Sequence, residues 1–300
     1  MATFSPTDAA LEGFRIAREK PRAMLLWAAV NFVVSLLVGV LMIAMFGPML
    51  AELEAMSQAG SADPSEAMAV FERMAPLYAV MLPIGLLVLS VFTAAAYRAV
   101  LRPSDSRYGY LRLGRDEMRL ILLMLIYVGL AIGFTFLLTL AAGLLAAGAA
   151  VAGGGIGALL GVIIGLVAIG LIVLVSVRLS LAGPMTFAEG RLRVFESWTL
   201  TRGNFWRLLG VYVLAIILVI VVFLLALIIY VALATVVAGG DIAAAGGVFQ
   251  PDTTSVANYF TTAMVIYLVF AAFLSALQNA VLNAPPAVAY RELSGATREG

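Results

Sequence analysis

The sequence predicts an all-α polytopic membrane protein: six transmembrane helices as three helical hairpins, with amphipathic cytoplasmic helices before spans 1, 3 and 5. Three observations predict it. Hydrophobic residues make up 63% of the 300 residues and charged ones 12%, with a mean hydropathy of +1.08, whereas soluble domains are about half apolar. Six apolar runs reach the roughly 20 residues that a helix needs to cross about 30 Å of hydrocarbon. The polar intervals between those runs alternate in the sign of their charge.

The runs lie near 23–47, 76–97, 119–147, 156–181, 207–238 and 259–284, so one membrane domain accounts for residues 1–300. Helices are the expected spanning form, because each satisfies its own backbone hydrogen bonds where there is no water. The first run is longer than a signal-peptide core and reads as a retained span. The fifth is long enough that it must tilt or protrude.

Taken in order, Ser5-Pro6-Thr7-Asp8 reads as an N-cap, a first-turn proline and an acidic third position, opening an amphipathic helix ahead of span 1. The interval 51–75 carries Glu52, Glu54, Asp63, Glu66 and Glu72. Its Ser61-Ala62-Asp63-Pro64 marks the start of a short extramembrane helix. The interval 148–155 is a Gly- and Ala-rich hairpin, and 239–258, with Asp241 and Asp252, reads as a mobile loop. In 183–210, Thr186-Phe187-Ala188-Glu189 has the capping-box spacing. Ala188, Leu192, Phe195 and Trp198 follow it at helical intervals, which predicts an amphipathic helix through 186–198, lying in the headgroup zone.

Orientation follows from the basic residues. Arg15, Arg18, Lys20 and Arg22 precede span 1, six Arg lie in 98–119, five in 178–207 and two beyond span 6, leaving Arg73 alone on the other side. Acidic residues divide ten to seven between the same two sides. The positive-inside bias therefore places both termini in the cytoplasm. Arg and Ala richness suggests a bacterial source, and hence the inner membrane.

The joints before spans 1, 3 and 5 share a pattern. Phe14-Arg15-Ile16-Ala17-Arg18, Leu111-Arg112-Leu113-Gly114-Arg115 and Trp198-Thr199-Leu200-Thr201-Arg202 each read bulky, any, aliphatic, small or apolar, Arg. This points to a threefold repeat of joint, span, turn and span. Basic and aromatic side chains at such boundaries suit anionic headgroups. Arg18, Arg115, Arg178, Trp198, Arg202, Trp206 and Arg207 are accordingly the candidate lipid or protein-partner contacts.

Chemistry is sparse. There is no His and no Cys, which removes the commonest general base near neutral pH, thiolate nucleophiles and the usual zinc ligands. No nucleophile elbow, phosphate loop or metal motif stands out, so neither a catalytic residue nor a cofactor nor a metal is expected, and no nucleic-acid partner. No Asp, Glu or Lys falls inside a span, which argues against ion-coupled pumping. Arg98 and Arg178, at span ends, are expected to reach the interface. Ser275, Asn279 and Asn283 share one face of span 6 and are the candidate polar path of a small-solute or lipid transporter; helix-to-helix hydrogen bonding is the plainer use. Gly157, Gly161 and Gly165 form a small-residue ridge expected to pack on Ala141, Ala142, Ala146 and Ala147 of span 3.

The string Pro184…Glu189…Ser197-Trp198-Thr199-Leu200-Thr201-Arg202-Gly203-Asn204-Phe205-Trp206-Arg207-Leu208-Leu209-Gly210 resembles the membrane domain associated with glycerophosphoryl diester phosphodiesterases and the YciC-like inner-membrane proteins. Arg178 fills that group's Arg at the end of span 4, and the ending Ala284-Pro285-Pro286-Ala287-Val288-Ala289-Tyr290-Arg291-Glu292-Leu293 looks like its C-terminus. The phosphodiesterase barrel, with its acidic ligands and His, has no counterpart in this sequence. The resemblance therefore implies a non-enzymatic membrane module of the bacterial envelope.

Overall fold

The computed structural model describes residues 5–59, 64–152, 154–249, 252 and 255–295. Among these the secondary structure is helical: α1 Pro6–Glu19, α2 Pro21–Ala59, α3 Pro64–Leu101, α4 Arg115–Ala152, α5 Gly154–Leu179, α6 Ala182–Glu189, α7 Glu196–Leu200, α8 Phe205–Val237, α9 Ile242–Val248, α10 Val256–Tyr259 and α11 Thr262–Ser294, with a 3₁₀ turn at Arg107–Tyr110. Six of them, α2, α3, α4, α5, α8 and α11, are long and apolar enough to cross a membrane. Their surfaces remain rich in exposed Leu, Ile and Val, as lipid-facing helices require.

Helix α1 starts as its sequence dictates. Ser5 accepts from the Asp8 amide at 3.3 Å, with Pro6 at the first position, satisfying one of the otherwise orphan donors of the first turn. Its apolar face does not turn to lipid. Ala9, Ala10, Gly13 and Ile16 are buried, and α1 packs on α11 and α8. A Cβ at Gly13 would lie 2.4 Å from Val281 Cα, so the two backbones touch where only glycine fits.

Other joints differ from expectation. Before α4, residues 111–114 are not helical; the preceding loop instead holds Tyr108, Gly109 and Tyr110 at φ of 52°, 64° and 70°. Before α8, the helix runs over Ala182–Glu189 and ends at Gly190, whose φ of 65° places it in the left-handed region, the usual glycine stop. Thr186 is thus mid-helix, and its Oγ1 accepts from the Arg193 amide at 3.1 Å. Glu189 accepts from Arg191 and Arg193. The capping box failed because a glycine four residues on was a stronger stop than Thr186 was a start. The three joints share a sequence pattern but adopt three conformations, so they are not a structural repeat.

Packing follows the sequential hairpins only in part, since α4 packs on α5 and α8 on α11. The hub is α11, which packs most extensively on α1 and α2 and then on α3 and α8, while α2 meets its own hairpin partner α3 only sparsely. Pro285 and Pro286 do not end α11, which continues to Ser294 because Ala284, Ala287 and Val288 are buried in the core at that end. Among the described residues of 51–75 no separate helix forms, since α2 continues to Ala59 and α3 already begins at Pro64. At 1.5 Å per residue α2 is about 58 Å long. Residues 61–63 of the expected cap, and Gly153 of the expected hairpin turn, lie outside the described residues. The interval 239–258 folds into α9 and α10, with Phe249 against Tyr230 and Tyr267 at 5.0 and 5.9 Å between ring centroids.

Candidate functional site

The well-packed core lies at one end, where the N-termini of α2, α4 and α8 meet the C-termini of α3, α5 and α11. This is the end that carries most of the basic residues. Polar links cross it: Lys20 Nζ donates to Ala99 O at 2.7 Å, Arg291 Nη1 to Val100 O at 3.3 Å and Trp27 Nε1 to Gly109 O at 2.7 Å. Each ties a chain terminus or joint to a span, which fixes the heights of the helices relative to one another.

The 183–210 joint is assembled around Arg178. A helix leaves its last carbonyls without intrahelical partners. Here Ser197 Oγ donates to Arg178 O at 2.7 Å, Thr201 Oγ1 lies 3.5 Å from the same oxygen, and Tyr127 Oη donates to Leu179 O at 2.7 Å. The spacing of four puts Ser197 and Thr201 on one face of α7 and the turn after it, and both are fully buried. Between them Trp198 turns the other way, over the Arg178 guanidinium at 5.7 Å, and Phe205 covers it at 5.9 Å. Arg178 Nε and Nη1 are buried with no hydrogen-bond partner, and no described carboxylate forms an ion pair with Arg178. It is a half-buried cation held by aromatic faces alone.

Around this point the surface is apolar, aromatic and basic. Phe195, Trp198 and Trp206 are 66%, 42% and 79% exposed, and Arg202 and Arg207 are exposed beside them in sequence. Trp206 stands edge-on to Phe205, ring centroids 5.3 Å apart. On the far side of α7, the Glu196 carboxyl is held below its ordinary range by its own backbone amide and by Arg193, and Arg193 is raised by the same contact. The candidates Arg178, Trp198, Arg202, Trp206 and Arg207 therefore sit in one joint. Arg18, paired with Glu19 at 3.7 Å, and exposed Arg115 lie on other joints of the same end.

Arg98 departs from expectation. It does not reach the interface but is 3% exposed, ion-paired with Glu117 and donating to Tyr110 O at 2.9 Å. Arg102 stacks on Phe187 at 4.7 Å and donates to Phe187 O and Ala188 O, closing the end of α6. This network was invisible as a site in the sequence; the adjacent acidic pair Asp116-Glu117 opening a span was its one signal.

Ser275, Asn279 and Asn283 are partly buried along α11. Asn279 donates to Ser275 O and Asn283 to Asn279 O, both at 2.9 Å within α11, and Thr93 donates to Asn283 at 3.3 Å. A cavity of about 520 Å³ lies elsewhere, between α4 and α5, with Tyr97, Tyr127, Ser180 and Gly183 at one end and Phe134 and Ile172 in its walls. Among the described residues, a Cβ at Gly161 or Gly165 of the glycine ridge would meet nothing within 4 Å. The surroundings of Gly157, Ala146 and Ala147 lie outside the described residues. No cluster of three potential metal ligands occurs among the described residues. Set beside known proteins, the chain matches no family model, no curated protein and no solved structure.

Proposed function

We propose that this is a non-enzymatic membrane protein of the bacterial inner membrane and envelope, with both termini cytoplasmic, which acts by engaging anionic lipid headgroups, or a partner docked on them, through its basic end. The observation that carries the reading is the exposed Trp198, Trp206, Arg202 and Arg207 surface at the α7–α8 joint. Amphipathic aromatic rings settle at headgroup depth, and Arg side chains there meet lipid phosphates. The resemblance to the phosphodiesterase-associated and YciC-like membrane domains is in keeping with this role. Transport beside α11 is the weaker reading, because Asn279 and Asn283 each bond within the helix and Asn283 also accepts from Thr93 of α3, the helix-to-helix use such residues commonly serve.

The test replaces the exposed surface and leaves Arg178 in place. In Arg202→Gln/Trp206→Ala/Arg207→Gln protein reconstituted in mixed bilayers, spin-labelled phosphatidylglycerol should lose its preference over phosphatidylcholine for the protein boundary. An unchanged preference would count against the reading.

A further inference from the structure

Within that surface, and resting on the lipid-contact reading, the geometry points to Arg178 as a specific seat for the phosphate of one phospholipid, preferring an anionic headgroup. A guanidinium carries five N–H donors and stays charged at all relevant pH. Here the Nε and Nη1 donors are buried without partners. Buried charged donors left without partners are costly, and cation–π contacts with Trp198 and Phe205 return only part of that cost. Nη2 is not among the buried, unpartnered donors, and it flanks both Nε and Nη1 on the guanidinium fork. An anionic oxygen that reaches Nη2 can therefore also engage one of the orphaned donors.

Position decides which anion. Arg178 closes a span whose outer surface is apolar, and its cage is made by Trp198 and Phe205, next to exposed Trp206. An aromatic and basic cage at the end of an apolar span suits headgroup depth, where phosphate is the abundant anion. The neighbouring Arg202 and Arg207 add positive charge that favours a net-negative headgroup over a zwitterionic one. By contrast the other buried guanidinium at this end, Arg98, already has its counter-ion in Glu117. Ser197, by donating to the Arg178 carbonyl, holds the residue whose side chain stays open.

Native mass spectrometry of the full chain, released from detergent after titration with phosphatidylglycerol in the presence of phosphatidylcholine, tests this. Wild type should retain one phosphatidylglycerol more tightly than further copies. Arg178→Gln should weaken that first site about tenfold or more, the loss expected for one charge-assisted hydrogen bond, and Arg178→Lys should weaken it less. Phe205→Leu, which leaves the guanidinium in place but removes one wall, should weaken it in the same direction and keeps the test open if Arg178→Gln fails to fold. Glycerol phosphate at equal concentration should not displace the lipid; displacement would mean a soluble phosphate site and overturn the lipid assignment. Equal retention by wild type, Arg178→Gln and Phe205→Leu overturns the seat. If the first site persists in Arg178→Gln while the Arg202/Trp206/Arg207 variant has lost boundary selectivity, the seat falls and the general reading stands.

Discussion

At the level of single residues, two arginines at the ends of spans have opposite fates. Arg98 is buried with Glu117, while Arg178 is half-buried and caged by rings. Charge removal from a buried pair leaves the other charge uncompensated, and such losses cost about 3–5 kcal/mol. Glu117→Gln should therefore lower the unfolding midpoint in detergent markedly. Arg98→Met/Glu117→Leu, which removes both charges, should recover much of the loss, and a double variant as unstable as the single would show that the pair is not what matters. Arg98 could not be read from sequence as buried, because its partner lies 19 residues away. The intervening loop brings Glu117 back with Tyr108 and Tyr110 at positive φ, a conformation of about 1–2 kcal/mol cost per residue that local preferences disfavour.

Among the elements, α1 is the clearest case of tertiary context. Its amphipathic pattern was legible, and so were its cap and its first-turn proline; what covers the apolar face was not, since lipid and a neighbouring helix select the same residue types. The Gly13–Val281 backbone contact decides it. Gly13→Leu should detach α1 from α11 and expose the α1–α2 junction to limited proteolysis, whereas Ala9→Gly should leave the pattern of cleavage unchanged. The α6 segment carries a second lesson. Thr186 and Glu189 had the right spacing for a helix start, but Gly190 at φ 65° closes a helix that began earlier. Gly190→Ala should destabilise that end by about 1 kcal/mol, seen as a small drop in midpoint without loss of fold.

For the whole molecule, the main core lies at the basic end and a smaller cluster of α8, α9 and α11 around Phe249 at the other, while α4, α5 and α8 are largely exposed along their spans. The chain lacks cysteine, so introduced cysteines are unique reporters. Ser104→Cys, in the α3–α4 loop, should be labelled by impermeant maleimide only from the cytoplasmic side, and Ala243→Cys, in α9, only from outside. The reverse pattern would invert the topology. Because α11 is the hub, truncation after residue 284 should prevent α1 from docking and abolish the folded protein in detergent, unlike truncation after residue 294.

The sequence by itself determined the membrane class, the six helices, the charge asymmetry, the start of α1 and the aromatic and basic character of the α7–α8 joint. These follow from hydropathy, proline and cap chemistry, which act over a turn or over one bilayer thickness. Tertiary structure alone decided that α11 is the hub, that Arg98 has a counter-ion and Arg178 has none among the described residues, that nothing described packs on Gly161 and Gly165 and that Ser197 clamps the end of α5. In an apolar chain every span offers much the same surface, so hydrophobicity cannot select helix neighbours. Close backbone approach, as at Gly13, and the need to satisfy buried polar groups at one end make that selection.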